Sequence, residues 1–262
     1  MKRNLPLPTL ALAAILILAA ACGPKPSEVP TGEPTPPPTE PPVIVPVGLP
    51  AAVDRSMRLD PAIAADPDVL SLCSLVYDGL TRLDPDGNLV PALALSWTVS
   101  DDQLDYILTL RQGVTFQGGS TFDADTVLAN FNRWFDPANP LHIPDQFSAW
   151  QIEFLGFKGE NDDALQPIAS FDGIEKVDHY TVLIHLNRPV PDLMTKLAQP
   201  AFLMLDPLLL ATAGENYGAS QVTVNGTGAY LLSAWSDSGL TFTPNASYWG
   251  TTAEGELQVG WK

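Results

Sequence analysis

The apolar residues between Leu89 and Phe135 change their spacing from two to about 3.6, and that switch constrains the fold more than any other feature of the chain. Leu104, Tyr106, Leu108 and Leu110 alternate with Asp105, Ile107 and Thr109, which predicts a strand with one row of side chains against a core. Ser100-Asp101-Asp102-Gln103 is turn chemistry, so Trp97 to Val99 and Leu104 to Leu110 are expected to be the arms of a hairpin. Val114 to Phe116 reads as a second short strand after Gly113, broken by Gly118-Gly119-Ser120-Thr121. Beyond it Val127, Asn130, Phe131 and Trp134 recur at the spacing of one helix face. Thr121 or Asp123 can cap that helix, and Asp125 places negative charge in its first turn, where the dipole favours it.

The remaining segments alternate in the same way. Val43 to Val47 reads as the first strand, its Pro46 pointing to an edge or a bulge, and Gly48-Leu49-Pro50-Ala51 leaves it as a loop. Asp66 and Pro67 form an N-cap and first-turn pair ahead of the stripe Val69, Leu72, Cys73, Val76, with Gly79 placed to end the helix. Asp84-Pro85-Asp86-Gly87-Asn88 alternates acids like a calcium loop, but the glycine and glutamate such a loop needs at its sixth and twelfth places are Leu89 and Leu95. A hairpin turn explains all five residues. Asp136 to Ser170 is the least informative stretch, with loops around a short Phe147 to Phe154 segment. A clearer hairpin follows, Ile174 to Val177 and Val182 to Leu186 about an Asp178-His179 turn; Leu193 and Leu197 suggest a short helix, and Phe202 to Leu205 a buried segment. Strands are expected from Tyr230 to Trp235, from Leu240 to Pro244 and across Glu256 to Trp261.

At the N-terminus Lys2 and Arg3 precede an apolar run, Leu10 to Ala21, that is short for a bilayer span and ends in small residues, so residues 1–21 are expected to be a signal peptide. Ala19-Ala20-Ala21-Cys22 resembles a bacterial lipobox, which would make Cys22 a lipidated anchor; an ordinary cut near Ala21 with Cys22 incidental is the alternative. Residues 22–42 then form a Pro-rich tether. From Gly23 to Pro46 there are ten prolines and no aromatic residue, a composition that cannot fold and that spans roughly 70 Å at about 3.1 Å per residue. Loss of Lys2 and Arg3 with the leader leaves 11 of the 13 basic residues against 30 acidic ones, a net charge of −19. Such a surface repels nucleic acid and anionic membranes. With Cys22 acylated Cys73 has no partner for a disulfide, and it reads as a small buried apolar group.

A family resemblance rests on the order of these pieces. Val90-Pro91, Leu93-Ala94, Ser96-Trp97, Ser100-Asp101-Asp102, Leu110-Arg111-Gln112-Gly113-Val114, Phe116, Gly119 and Ala124-Asp125-Thr126-Val127 together resemble the family-5 solute-binding proteins of ABC importers. Gln103, Thr121 and Thr126 depart from the glycine, proline and acidic residue common at those places. Leu59-Asp60-Pro61, Tyr77-Asp78-Gly79-Leu80, Gly226-Thr227-Gly228-Ala229-Tyr230 and Asn245-Ala246-Ser247-Tyr248-Trp249-Gly250 resemble further markers of that family. The resemblance implies an α/β fold, a mixed sheet with flanking helices, of the type II periplasmic-binding-protein kind. Family members run about twice this length, so residues 43–262 are expected to be the N-terminal portion of the solute-binding domain, most of lobe I only; a natural single lobe is the alternative. The implied partners are a small-molecule or peptide ligand, the permease subunits of an ABC transporter and, through the lipid, the cell membrane, with no cofactor. On these grounds Gly48, Leu49 and Pro50 are expected near the ligand cleft, while Tyr77 either faces ligand or packs. Short peptides come first among ligands, ahead of nickel complexes, sugars and opines.

Two other classes compete. An enzyme finds little support: His142, His179 and His185 stand in a loop, a turn and a strand without partners at metal spacing, and no nucleophile or metalloprotease motif occurs. Asp123 and Asp125 as paired carboxylates are explained more simply as first-turn helix acids. A lipoprotein using the lobe as a scaffold or adhesion surface, without transport, is the other alternative. The Asn225 and Asn245 sequons would ordinarily stay bare in a bacterial lipoprotein.

Overall fold

A computed structural model describes residues 43–44, 48–252 and 255–262. Twelve strands and five α-helices are found among them, in chain order β1 (Val43–Ile44), β2 (Ala52–Val53), α1 (Pro67–Val76), β3 (Thr81–Leu83), β4 (Leu89–Pro91), β5 (Ala94–Val99), β6 (Asp105–Leu110), α2 (Ala124–Phe135), α3 (Ser148–Phe154), β7 (Phe171–Asp178), β8 (Thr181–Leu186), α4 (Leu193–Lys196), α5 (Pro207–Ala213), β9 (Tyr230–Ser236), β10 (Gly239–Pro244), β11 (Thr251–Thr252) and β12 (Leu257–Trp261). The expected signal peptide and tether, with Cys22 and Pro46, lie outside the described residues.

Two sheets carry two separate cores. The first is an antiparallel sheet in the order β5-β6-β8-β7, two hairpins, β5-β6 and β7-β8, joined by the long-range pairing of β6 with β8 from Asp105–His185 to Thr109–Thr181. Tyr106, Leu108 and Leu110 of β6 and Val182, Ile184 and Leu186 of β8 are buried, as the alternation of each predicts. Helix α2 packs over β7 and β8. Its Val127, Asn130, Phe131 and Trp134 are all buried, and Asp123 caps it by accepting from Thr126 N at 3.0 Å. Phe131, Trp134, Phe135, Trp150, Phe154, Phe171 and Phe202 form a continuous aromatic cluster with centroids 4.2–6.3 Å apart.

The second core lies between α1 and the sheet β2-β12-β10-β9, in which β2 and β12 run parallel and the other pairs antiparallel. Val69, Leu72, Cys73 and Val76 meet Leu232, Leu240, Phe242 and Val259 there. Asp66 caps α1 by accepting from Asp68 N at 2.9 Å, with Pro67 in the first turn. The Gly226-Thr227-Gly228 run passes directly against the end of that helix. Gly228 N donates to Val76 O at 2.8 Å, and a Cβ on Gly226 would stand 1.9 Å from the same oxygen. Only glycine permits that approach.

Two expectations change and one alternative is resolved. Val114 to Phe116 is a loop held by one bridge, Thr115 to Thr121, because Gly118 and Gly119 turn the chain before a ladder can extend. Helix α1 ends at Val76 with Tyr77 extended, and Gly79 does not supply a left-handed cap. Gly79 is needed instead for packing, since a Cβ there would lie 2.9 Å from Thr81 O. Of Thr121 and Asp123, Asp123 is the cap. The hairpin turn at Asp84 is as expected: its carboxylate accepts from Asp86 N at 2.9 Å and Asn88 N at 2.8 Å.

Candidate functional site

A seam of buried polar groups joins the two cores. Asp60 and Arg133 are both buried and pair through two bonds, Nη1 to Oδ1 at 3.1 Å and Nη2 to Oδ2 at 2.5 Å. Arg133 Nε donates to Leu141 O at 3.1 Å and its guanidinium lies 5.2 Å from the Phe147 ring centroid. Asn130 Nδ2 donates to Leu205 O at 2.9 Å while its Oδ1 accepts from Leu205 N at 3.0 Å. Asp206 accepts from Asn225 and, at 2.6 Å, from Ser120 Oγ. Asp78 accepts from Trp249 Nε1 at 2.8 Å, Thr227 Oγ1 at 2.9 Å and Tyr248 OH at 3.1 Å. Burial pushes the Asp78 carboxyl above its ordinary range despite these donors, which act the other way.

At one end of the seam a pocket of about 150 Å³ opens beside Arg133, between the loop Pro140 to Pro144 and the end of α5. Local hydrogen bonds shape that loop: Asp136 Oδ1 accepts from Ala138 N and Asn139 Oδ1 from Leu141 N, each at 2.9 Å. Leu141, Ile143, Pro144 and Leu210 make its walls apolar, and His142 and Glu215 supply polar groups. His142 Nδ1 donates to Arg133 O at 2.9 Å, and the ring stacks on Phe147. The charge of Arg133 is already matched by Asp60, so the pocket suits a small apolar or weakly basic group.

The residues expected near a ligand cleft do not line this pocket. Gly48 is exposed with φ +69°, in a loop where Leu49 and Pro50 are half-buried and Leu49 packs on the second core. Tyr77 is 1% exposed and donates to Leu59 O at 2.8 Å. Its ring is a core group in this structure, and burial pushes its phenol well above the usual value. Cys22 lies outside the described residues. The Asn225 and Asn245 amides are buried, and both are engaged internally. Among the described residues no cluster of His, Cys, Asp or Glu is arranged to hold a metal ion. His185 pairs with Asp105 at 2.6 Å on the sheet. The sequence reading named Asp60 only within a family marker and the 140–144 stretch only as loop, and it did not single out Arg133; the signal for a site was an apolar pair and a histidine bracketed by Pro140 and Pro144 after an amphipathic helix.

The model of the bacterial extracellular solute-binding proteins, family 5 Middle, matches residues 88–257. The chain belongs to this family. It is 35% identical over 192 residues to the glutathione-binding protein GsiB of Salmonella paratyphi A and 34% identical to that of Escherichia coli K12, covering 73% of this chain and 33% of each relative. The chain thus spans about a third of the length of these curated relatives. The periplasmic binding protein DppA of Helicobacter pylori, in complex with the peptide STSA, superposes with a TM-score of 0.66 at 25% identity over 82% of this chain and 42% of that one. NikA of Brucella suis, in complex with Fe(III)-EDTA, superposes with a TM-score of 0.63 at 26% identity over 81% and 38%. The relatives are binding proteins and not enzymes, and the family's mixed α/β fold is that of the type II periplasmic binding proteins. No described helix is long and apolar enough to cross a membrane.

Proposed function

We propose that the chain is the N-terminal portion of an extracytoplasmic lipoprotein that captures a short peptide for an ABC importer. The observation that carries this reading is 35% identity over 192 residues to a protein named for binding glutathione, itself a tripeptide derivative. The peptide held by the DppA relative agrees with that chemistry. On this reading residues 1–21 are the signal peptide, residues 22–42 the lipidated Cys22 and tether, and residues 43–262 part of the binding domain. The pocket at Leu141, Ile143 and Leu210 receives one apolar portion of the ligand, and the Gly48 to Pro50 loop, which does not line that pocket, lies near the cleft that the full-length protein would close. A second lobe would close over the ligand by a hinge motion, the closed state being the one the ligand favours, and permease subunits would receive it.

The binding test is a titration of the 262-residue chain with glutathione and with Ser-Thr-Ser-Ala, followed through the NMR signals of Leu141, His142 and Leu210. Saturable shifts that vanish in Leu210→Trp, which fills the pocket, are expected. A stable fold in which neither peptide moves these signals would favour the scaffold reading. Anchoring is tested separately by the intact mass of detergent-extracted protein. A chain beginning at Cys22 with a diacylglycerol increment is expected, and an unmodified N-terminus would overturn it.

A further inference from the structure

Two arginines beside the Asp78 cluster are incompletely satisfied. Arg82 projects from β3 and Arg111 follows β6, and both side chains are half-buried. Arg82 Nε and Arg111 Nη2 are buried and make no hydrogen bond. Neither guanidinium takes part in an ion pair among the described residues. Arg111 is held from two sides, its Nε donating to Ala92 O at 3.1 Å and its guanidinium stacked 4.2 Å from the Trp249 ring centroid. Trp249 in turn donates to Asp78, so Arg111, Trp249 and Asp78 form a fixed row.

Asp78 hydrogen-bonds neither cation, because its oxygens accept from Trp249, Thr227 and Tyr248, and its charge reaches both arginines only through space. The Asp84 carboxylate lies near Arg82 in the chain but is committed to its own turn, accepting from Asp86 N, Asn88 N and Asn88 Nδ2. A buried guanidinium N–H without an acceptor is costly, and two neighbouring guanidinium groups repel. Both are relieved by one anion. Guanidinium forks match carboxylates in shape and form paired charge-assisted bonds with them. A single negative charge is preferred over a dianion because the Asp78 carboxylate is close by.

We propose that Arg82 and Arg111 together form a binding site for a free monocarboxylate, with the Trp249 ring as its wall. The site is separate from the pocket beside Arg133 and does not rest on the peptide-binding reading. The test uses the 262-residue chain and acetate as the probe, at constant ionic strength made up with chloride. Replacing chloride by 100 mM acetate should raise Tm by about 3 °C and shift the side-chain Nε–H resonances of Arg82 and Arg111 saturably. Both responses should be lost in Arg82→Gln, whose fold is checked by its unchanged amide spectrum. Arg82→Lys, which keeps the charge without the fork, should lose most of the Tm rise. An acetate response equal to that of phosphate or chloride would overturn the proposal. So would a response that persists undiminished in Arg82→Gln.

Discussion

The two cores are held together by different means. The sheet β5-β6-β8-β7 and helix α2 pack large side chains, above all seven aromatic rings, drawn from consecutive hairpins and the helices between them. The core around α1 instead joins residues at opposite ends of the chain. Ala52 and Val53 pair in parallel with Gly260 and Trp261, and α1 lies on a glycine run 150 residues later. The first core follows from side-chain volume and local periodicity, the second from backbone contact that glycine permits. Long-range pairings of the second kind carry a larger loop-closure cost and depend on positions where no side chain fits.

Substitutions that act on one core and not the other sharpen this contrast. Gly226→Ala should be the most severe, since its Cβ would stand 1.9 Å from Val76 O and backbone must move; a loss of more than about 4 kcal/mol in urea unfolding is expected. Arg133→Met removes one partner of a buried pair and strands Asp60, with an expected loss of about 3–5 kcal/mol by the same measurement. The double variant with Asp60→Leu should recover most of it, because the uncompensated charge is then gone.

Asp78→Asn should act mainly through pH. The Asp78 carboxyl is raised by burial, so the folded chain binds its proton more tightly than the unfolded one. Its contribution to stability is therefore full below the ordinary value of 3.8 and is lost as pH rises through the raised one. Measured as the difference from Asp78→Asn, the wild type should be relatively most stable at low pH and decline across that window. Gln103→Gly should give the smallest change. Gln103 sits at φ +60° in the hairpin turn, where glycine meets no steric penalty, and a gain of about 0.5 kcal/mol in urea unfolding is expected.

Much of the first core was legible because each of its elements advertises itself over a few residues. The alternation through β6 and β8, the stripe Val127-Asn130-Phe131-Trp134 and the Asp84 turn all follow from local rules. The second core was legible only in pieces. Helix α1 and strands β9 and β10 were expected, but their meeting was not, since nothing near Ala52 in sequence announces a pairing with Gly260. The family markers gained a physical meaning only in three dimensions: Gly226 and Gly228 admit α1, Asp78 ties Thr227 to Tyr248 and Trp249, and Asp60 closes on Arg133. The pocket was missed for a related reason. Its walls come from a loop and from the end of α5, some 70 residues apart, and neither carries a periodic signal.

The claim that the polar seam makes the two cores one unit is tested most directly by urea unfolding of the chain with fluorinated tryptophans, read by ¹⁹F NMR. Trp134 and Trp150 report the first core, and Trp235 and Trp261 the second. All four signals are expected to lose intensity with one midpoint and one slope. Separate midpoints for the two pairs would mean that the cores unfold independently and that the seam does not couple them.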